Sequence, residues 1–151
     1  MNREQLKQHI PYNIAVLSNT IKQTTSDVFV KGTGMSPREW RVLAIVGLYQ
    51  PISSSQIAKR TGMDKATVTR STNCLLDTSY INKYQNPNDG RSTLIKLTEE
   101  GQQKFEQLAP KMLASGNEYR KALSDGETLM LLELLGKLQS HAESLLKNPE
   151  S

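Results

Sequence analysis

The stretch Ser53–Ser79, SSSQIAKRTGMDKATVTRSTNCLLDTS, constrains this chain more than any other. Ser53 and Gln56 form an S-x-x-Q capping box, in which two orphan backbone donors of a helix start satisfy each other's partners. Ile57 and Ala58 give that short helix a small buried face. Gly62 then falls where the chain must turn sharply, because glycine takes a positive φ without a Cβ clash. Asp64 is a good N-cap for a second helix beginning at Lys65. Val68 and Leu75, seven residues apart, face back onto the first helix. Lys65, Ala66, Thr67, Thr69, Arg70 and Asn73 point outward. Short polar groups and cations of this kind hydrogen-bond base edges and phosphates. An ordinary helical hairpin with a solvated face would share the pattern, so the rest of the chain decides.

Charge is concentrated around this motif. Ser36–Leu97 carries nine Lys and Arg against four Asp and Glu, whereas the remainder carries ten against eleven. A basic middle suits a polyanionic partner. The single cysteine, Cys74, excludes an intrachain disulfide framework. The polar start MNREQLKQHI lacks the apolar core of a signal peptide, and no apolar run approaches membrane-spanning length. The expectation is a soluble, cytoplasmic protein without a membrane partner.

Before the motif, Arg3–Val30 reads as one helix with an apolar stripe at Ile10, Ile14, Leu17, Ile21 and Val28. Pro11 marks a kink or a late start. Lys31-Gly32-Thr33-Gly34 breaks the helix. Ser36 and Glu39 form a second capping box, with Pro37 at the first helical position and Met35 and Trp40 as a hydrophobic staple. Gln50-Pro51 ends that helix.

After the motif, Tyr80–Gln85 and Ser92–Leu97 have strand character, separated by the dense turn signal Asn86–Arg91. A hairpin in this position is a wing, and an Arg at its tip can enter a minor groove. Thr98 caps the next helix, whose buried face includes Phe105, Leu108 and Met112; Pro110 should bend it or end its first part. Ser124-Asp125-Gly126-Glu127 is a third capping box. It opens a last helix with leucines at 131, 135, 138 and 145. Such a helix needs a partner face, which suggests that the two chain ends build a dimer interface.

The order of elements resembles the MarR family of bacterial regulators. The matching segments are Ser54-Ser55-Gln56-Ile57-Ala58, Lys65-Ala66-Thr67-Val68-Thr69-Arg70, Asp89-Gly90-Arg91-Ser92, Leu97-Thr98-Glu99-Glu100-Gly101 and Leu123-Ser124-Asp125-Gly126-Glu127. The wing motif D-x-R-S followed by L-T-x-x-G is the most specific. The resemblance implies a mainly α fold with a small β-hairpin wing, a winged helix-turn-helix flanked by N- and C-terminal dimerisation helices. Its regions are 1–34, part of the dimerisation layer; 35–98, the DNA-binding region; and 99–151, the closing dimerisation helices. It implies a homodimeric, sequence-specific transcription regulator on a pseudo-palindromic double-stranded operator, a repressor released by a small phenolic or aromatic effector. DNA contacts would come from Ser54, Ser55, Lys65, Thr67, Thr69, Arg70, Asn73, Asp89, Arg91 and Ser92. Trp40, close to where family ligands bind, is the leading effector contact, with Tyr12 and Met112 behind it; for Trp40 taken alone, a staple and core role is the simpler account.

The chain departs from the family at Ser71 and Thr72, where two leucines are frequent, at Asn73-Cys74-Leu75, where D-R-L is usual, and at Ser79, where a glycine ends the recognition helix. The first departure thins the helix's buried face. Two other readings stay open: a winged helix that binds protein rather than DNA, and a redox-responsive regulator acting through Cys74, which has Arg70 one helical turn away. His9 and His141 are far apart, no Cys/His spacing suggests a metal, and neither a phosphate loop nor a G-x-S-x-G is present. No cofactor, metal or catalytic residue is expected.

Overall fold

The computed structural model describes residues 7–30 and 32–147, with side chains described over 7–24 and 32–147. The elements are α1 (Ile10–Val30), α2 (Pro37–Tyr49), β1 (Ile52–Ser53), α3 (Ser54–Thr61), α4 (Lys65–Asp77), β2 (Ile81–Asn86), β3 (Asp89–Leu97), α5 (Glu99–Arg120) and α6 (Asp125–Lys147). The chain packs as two compact units, Met1–Ala109 and Pro110–Ser151, with the boundary inside α5.

Helix starts follow local chemistry. In α2 the Ser36 hydroxyl accepts from the Glu39 N–H at 3.3 Å while the Glu39 carboxylate accepts from the Ser36 N–H at 2.9 Å. The same reciprocal pair joins Ser53 and Gln56 at α3, and Ser124 and Glu127 at α6. Pro11 lies in the first turn of α1, so it marks a late start there. Val28 belongs to the expected stripe, but its side chain lies outside the described residues.

The core of the first unit forms where α2, α3, α4 and the sheet meet. Val42, Leu43, Val46, Ile52, Ile57, Val68, Leu75, Ile81 and Ile95 are essentially fully buried. Met35 and Trp40, the expected staple, are buried in the same cluster. Trp40 stacks on Phe105 of α5, with ring centroids 6.2 Å apart. Gly47 makes room for that ring, since a Cβ there would lie 2.9 Å from Phe105.

The sheet holds three antiparallel strands in the order β1-β3-β2. Sequence reading gave only the hairpin. β1 is two residues long and exists through its pairing of Ile52 with Ile95 and Ser53 with Leu94. The Gln50 side chain completes this edge, its Oε1 accepting the Leu97 N–H at 2.7 Å. The hairpin is also longer than expected, because Asn86 and Asp89 pair and leave only Pro87 and Asn88 as the tip. Helix α5 runs without interruption through Pro110, so the proline does not end it.

Gly101 is dictated by a close approach. A Cβ at this position would sit 1.8 Å from the Tyr80 carbonyl oxygen. Gly101→Ala should therefore force the start of α5 away from β2 and cost roughly 3 kcal/mol, at the upper end for overpacked sites. Urea unfolding of wild type and variant measures it; midpoints that coincide would contradict the packing described.

Candidate nucleic-acid interface

Ser54 and Ser55 occupy the first turn of α3 and are exposed. The first amides of a helix have no intrahelical acceptor, so this turn offers N–H and hydroxyl donors to an anion. Gly62 ends α3 at φ 67°, the left-handed turn that the sequence anticipates. It delivers the chain to Asp64, whose carboxylate caps α4 by accepting the Thr67 N–H at 2.8 Å.

Helix α4 packs on α2, α3 and β2, with Val68, Ser71, Thr72 and Leu75 buried. The opposite face exposes Lys65, Ala66, Thr69, Arg70 and Asn73. Thr67, expected to be fully outward, is half-buried and already engaged. Its hydroxyl donates to Asp64 Oδ2 at 2.7 Å and accepts from Arg70 Nη2 at 3.2 Å. Asp64, Thr67 and Arg70 thus form one polar chain along the start of the helix. The Thr69 hydroxyl turns back to the Lys65 carbonyl at 2.9 Å. Cys74 is exposed on α4.

Ser71 and Thr72 do not open the buried face. Both are buried, and the Thr72 hydroxyl donates to the Val68 carbonyl at 2.6 Å, so its polarity is satisfied inside the helix. Ser79 adopts the left-handed conformation, at φ 59°. The Ser79 N–H donates to the Leu76 carbonyl and the Tyr80 N–H to the Leu75 carbonyl, each at 2.9 Å. These two bonds are a Schellman motif closing α4.

The wing tip is held by its own side chains. Pairing jumps from Gln85 with Thr93 to Asn86 with Asp89, so Gly90, Arg91 and Ser92 bulge out of β3. Bulges re-aim side chains, and here the exposed Arg91 lies within one. Asp89 Oδ1 accepts the Arg91 N–H at 3.0 Å, and the Ser92 hydroxyl donates to the Asp89 carbonyl at 3.1 Å. Gln85 Nε2 donates to the Gly90 carbonyl at 2.6 Å and Asn86 Nδ2 to the Ser92 hydroxyl at 2.9 Å. Gln85 and Asn86 were missed by sequence reasoning; the period of two in the strand does not reveal which polar residues turn onto a neighbouring bulge. Arg60 was missed as well, and its guanidinium lies 3.8 Å over the Tyr49 ring.

The three residues expected around an effector differ in setting. Trp40 is buried, whereas Tyr12 and Met112 are 60% and 46% exposed. Among the described residues no group of His, Cys, Asp and Glu is arranged to hold a metal ion, and no helix is long and apolar enough to cross a membrane.

Residues 35–93, from just before α2 into β3, match the sequence profile of the MarR family. Over these residues the chain is similar to the MarR family of transcriptional regulators. It is similar to a transcriptional repressor of Bacillus subtilis, 27% identical over 73% of this chain and 67% of that protein. Among solved structures, a MarR/EmrR family regulator of Acinetobacter superposes with a TM-score of 0.86 at 25% identity, covering 95% of this chain and 99% of its own. A MarR family regulator of Listeria monocytogenes, solved in complex with a 26mer DNA, superposes at 0.81 with 23% identity, covering 91% of each chain.

Asp64 makes the site acid-sensitive. Hydrogen bonds from the Thr67 side chain, then from the Thr67 backbone, lower its carboxyl pKa below the ordinary value. A carboxylate with a depressed folded-state pKa contributes stability above its unfolded pKa and loses it as pH falls through the folded one. Wild type should thus melt above Asp64→Ala at neutral pH, because the variant loses its N-cap. The gap should close below the normal aspartate range. Melting curves across acidic pH test this, and a gap independent of pH would show that the charge contributes nothing.

Proposed function

We propose that this regulator is a homodimeric, sequence-specific DNA-binding repressor. The observation that carries the reading is the exposed face of α4, Lys65, Thr69, Arg70 and Asn73, presented between the Ser54–Ser55 helix start and a bulged wing bearing Arg91. Helix α4 would read base edges in a major groove, Ser54 and Ser55 would hold phosphates, and Arg91 would enter a flanking minor groove. Thr67 and Arg70 would exchange their mutual hydrogen bond for DNA partners. Asp89 and Ser92 would hold the wing turn. The DNA complex of the Listeria regulator supports the same use of a shared fold.

The dimer reading rests on exposed apolar side chains. On α1, Ile10, Ile14 and Leu17 are exposed, and on α6, Leu131, Leu135, Leu138 and Leu145. Exposed apolar surface of this extent marks an interaction face. The assignment of residues 1–34 and 99–151 to a dimerisation layer, around a DNA-binding region at 35–98, belongs to this proposal, as does a pseudo-palindromic operator. Gel shifts on the intergenic DNA beside the gene test it. Arg70→Ala and Arg91→Ala should each weaken binding and reduce the salt slope by about one unit per lost phosphate contact. Leu135→Arg should sediment as a monomer and bind the palindrome poorly. Wild-type affinity in both arginine variants would sink the DNA reading, and a dimeric Leu135→Arg the α6 interface. Repression predicts that a reporter driven by that DNA falls silent when the protein is supplied; activation would contradict it.

Release by a small phenolic or aromatic effector is the remaining part of the proposal, with Trp40, Tyr12 and Met112 as the contacts. Such an effector must bind the DNA-incompetent state better than the competent one. Trp40 is the only tryptophan, so its fluorescence reports directly. A panel of phenolic acids should yield compounds that both quench it and release DNA; a panel that does neither would remove effector control from the proposal.

A further inference from the structure

The wing bulge is held from two sides. No residue of β2 stands opposite Gly90, Arg91 and Ser92, so the ladder does not fix them. Asp89 supplies two of the bonds that do: its carboxylate accepts the Arg91 N–H at 3.0 Å, and its carbonyl accepts the Ser92 hydroxyl at 3.1 Å. The other two cross from β2. Gln85 Nε2 donates to the Gly90 carbonyl at 2.6 Å, and Asn86 Nδ2 donates to the Ser92 hydroxyl oxygen at 2.9 Å. Asn86 uses the other end of its amide as well, Oδ1 accepting the Asn88 N–H at 3.0 Å.

Arg91 is therefore bracketed. The residue before it is tied to β2 through Gln85, and the residue after it through Asn86. Its own guanidinium makes no hydrogen bond or ion pair with another described residue, and the side chain is exposed. The backbone is thus fixed while the cation is left for a partner. An arginine on a loose bulge would give up backbone freedom on binding, a cost that a bulge already held in place avoids. Direction matters as much as freedom. A minor groove is about 6 Å wide and narrower still in A-tracts, where its potential is most negative. A cation gains from that narrowing only when the backbone carrying it points it inward.

We infer that Gln85 and Asn86 are positioning residues that fix the direction in which Arg91 leaves the wing, and so set the protein's preference for narrow, A·T-rich DNA beside the bases read by α4. The inference rests on the DNA-binding proposal above and adds to it two residues outside the D-x-R-S segment. Neither carries charge, so neither supplies affinity by counterion release. Their contribution passes through the arginine they aim.

The probe is the intergenic DNA beside the gene, in two forms whose flanks are A·T or G·C, titrated in gel shifts with the full chain. Wild type should favour the A·T form. Gln85→Met keeps the side chain's length and removes its donor; Asn86→Leu does the same at the next position. Each should weaken binding to the A·T form about threefold to tenfold, the scale of one hydrogen bond, and shrink the preference. In an Arg91→Ala background neither should weaken binding further, since a positioning residue acts only through the residue it aims. Without DNA, backbone NMR relaxation should show Gly90, Arg91 and Ser92 more mobile in both variants. The tip carries no core side chain, so melting curves should match wild type. Losses that are equal on both DNA forms and persist in the Arg91→Ala background would make the pair direct contacts or fold supports, and overturn the inference. Variants that bind as wild type does, or a bulge no more mobile than before, overturn it too. A wild type that binds neither form fails the DNA proposal, and this inference with it; a wild type that binds beside variants that bind equally well fails this inference alone.

Discussion

The winged-helix unit depends on one joint, at Thr98. Its hydroxyl donates to the Ser79 carbonyl at 2.6 Å and accepts the Gly101 N–H at 2.9 Å, while its own N–H donates to the Tyr80 carbonyl at 3.1 Å. A single residue thereby ties the end of α4, the entry to β2 and the first turn of α5. The approach is close enough that only glycine fits at position 101. The L-T-x-x-G segment is thus more than a family signature. Threonine supplies the donor and acceptor, and glycine supplies the space.

Caps made much of this fold legible. The Ser36–Glu39, Ser53–Gln56 and Ser124–Glu127 boxes, with Asp64 and Thr98, mark five helix starts from interactions that span only three residues. Nothing distant competes with them. What was not legible is set by distant partners. Ile52–Ser53 becomes a strand only because β3 lies beside it. Local turn propensity suggested a broad loop at Asn86–Arg91, but cross-strand pairing to Asp89 tightened it into a two-residue tip with a bulge. Pro110 removes one helical N–H and still sits inside α5, so the flanking helix outweighs its cost.

The candidate site divides in the same way. Helical periodicity placed Lys65, Thr69, Arg70 and Asn73 on the solvent face of α4, because the buried positions Val68 and Leu75 fix its rotation. Periodicity says nothing of how exposed side chains spend their hydrogen bonds, so the Asp64–Thr67–Arg70 chain emerged only from atomic positions.

Helix α4 is held at its ends as well as along its length. Leucines at the positions of Ser71 and Thr72 would anchor the helix through apolar area, a term that grows with each methylene buried. Here those positions are buried but polar, and the Thr72 hydroxyl is satisfied by its own helix rather than by the core, so it adds no tie to α2 or α3. The anchoring shifts to Asp64 at one end and to the Ser79 Schellman closure at the other. Ser79 holds that closure in a conformation that costs a residue with a Cβ roughly 1 kcal/mol or more. The Thr98 hydroxyl on its carbonyl offsets the strain. A helix secured this way responds to changes at its caps more than one glued along its flank.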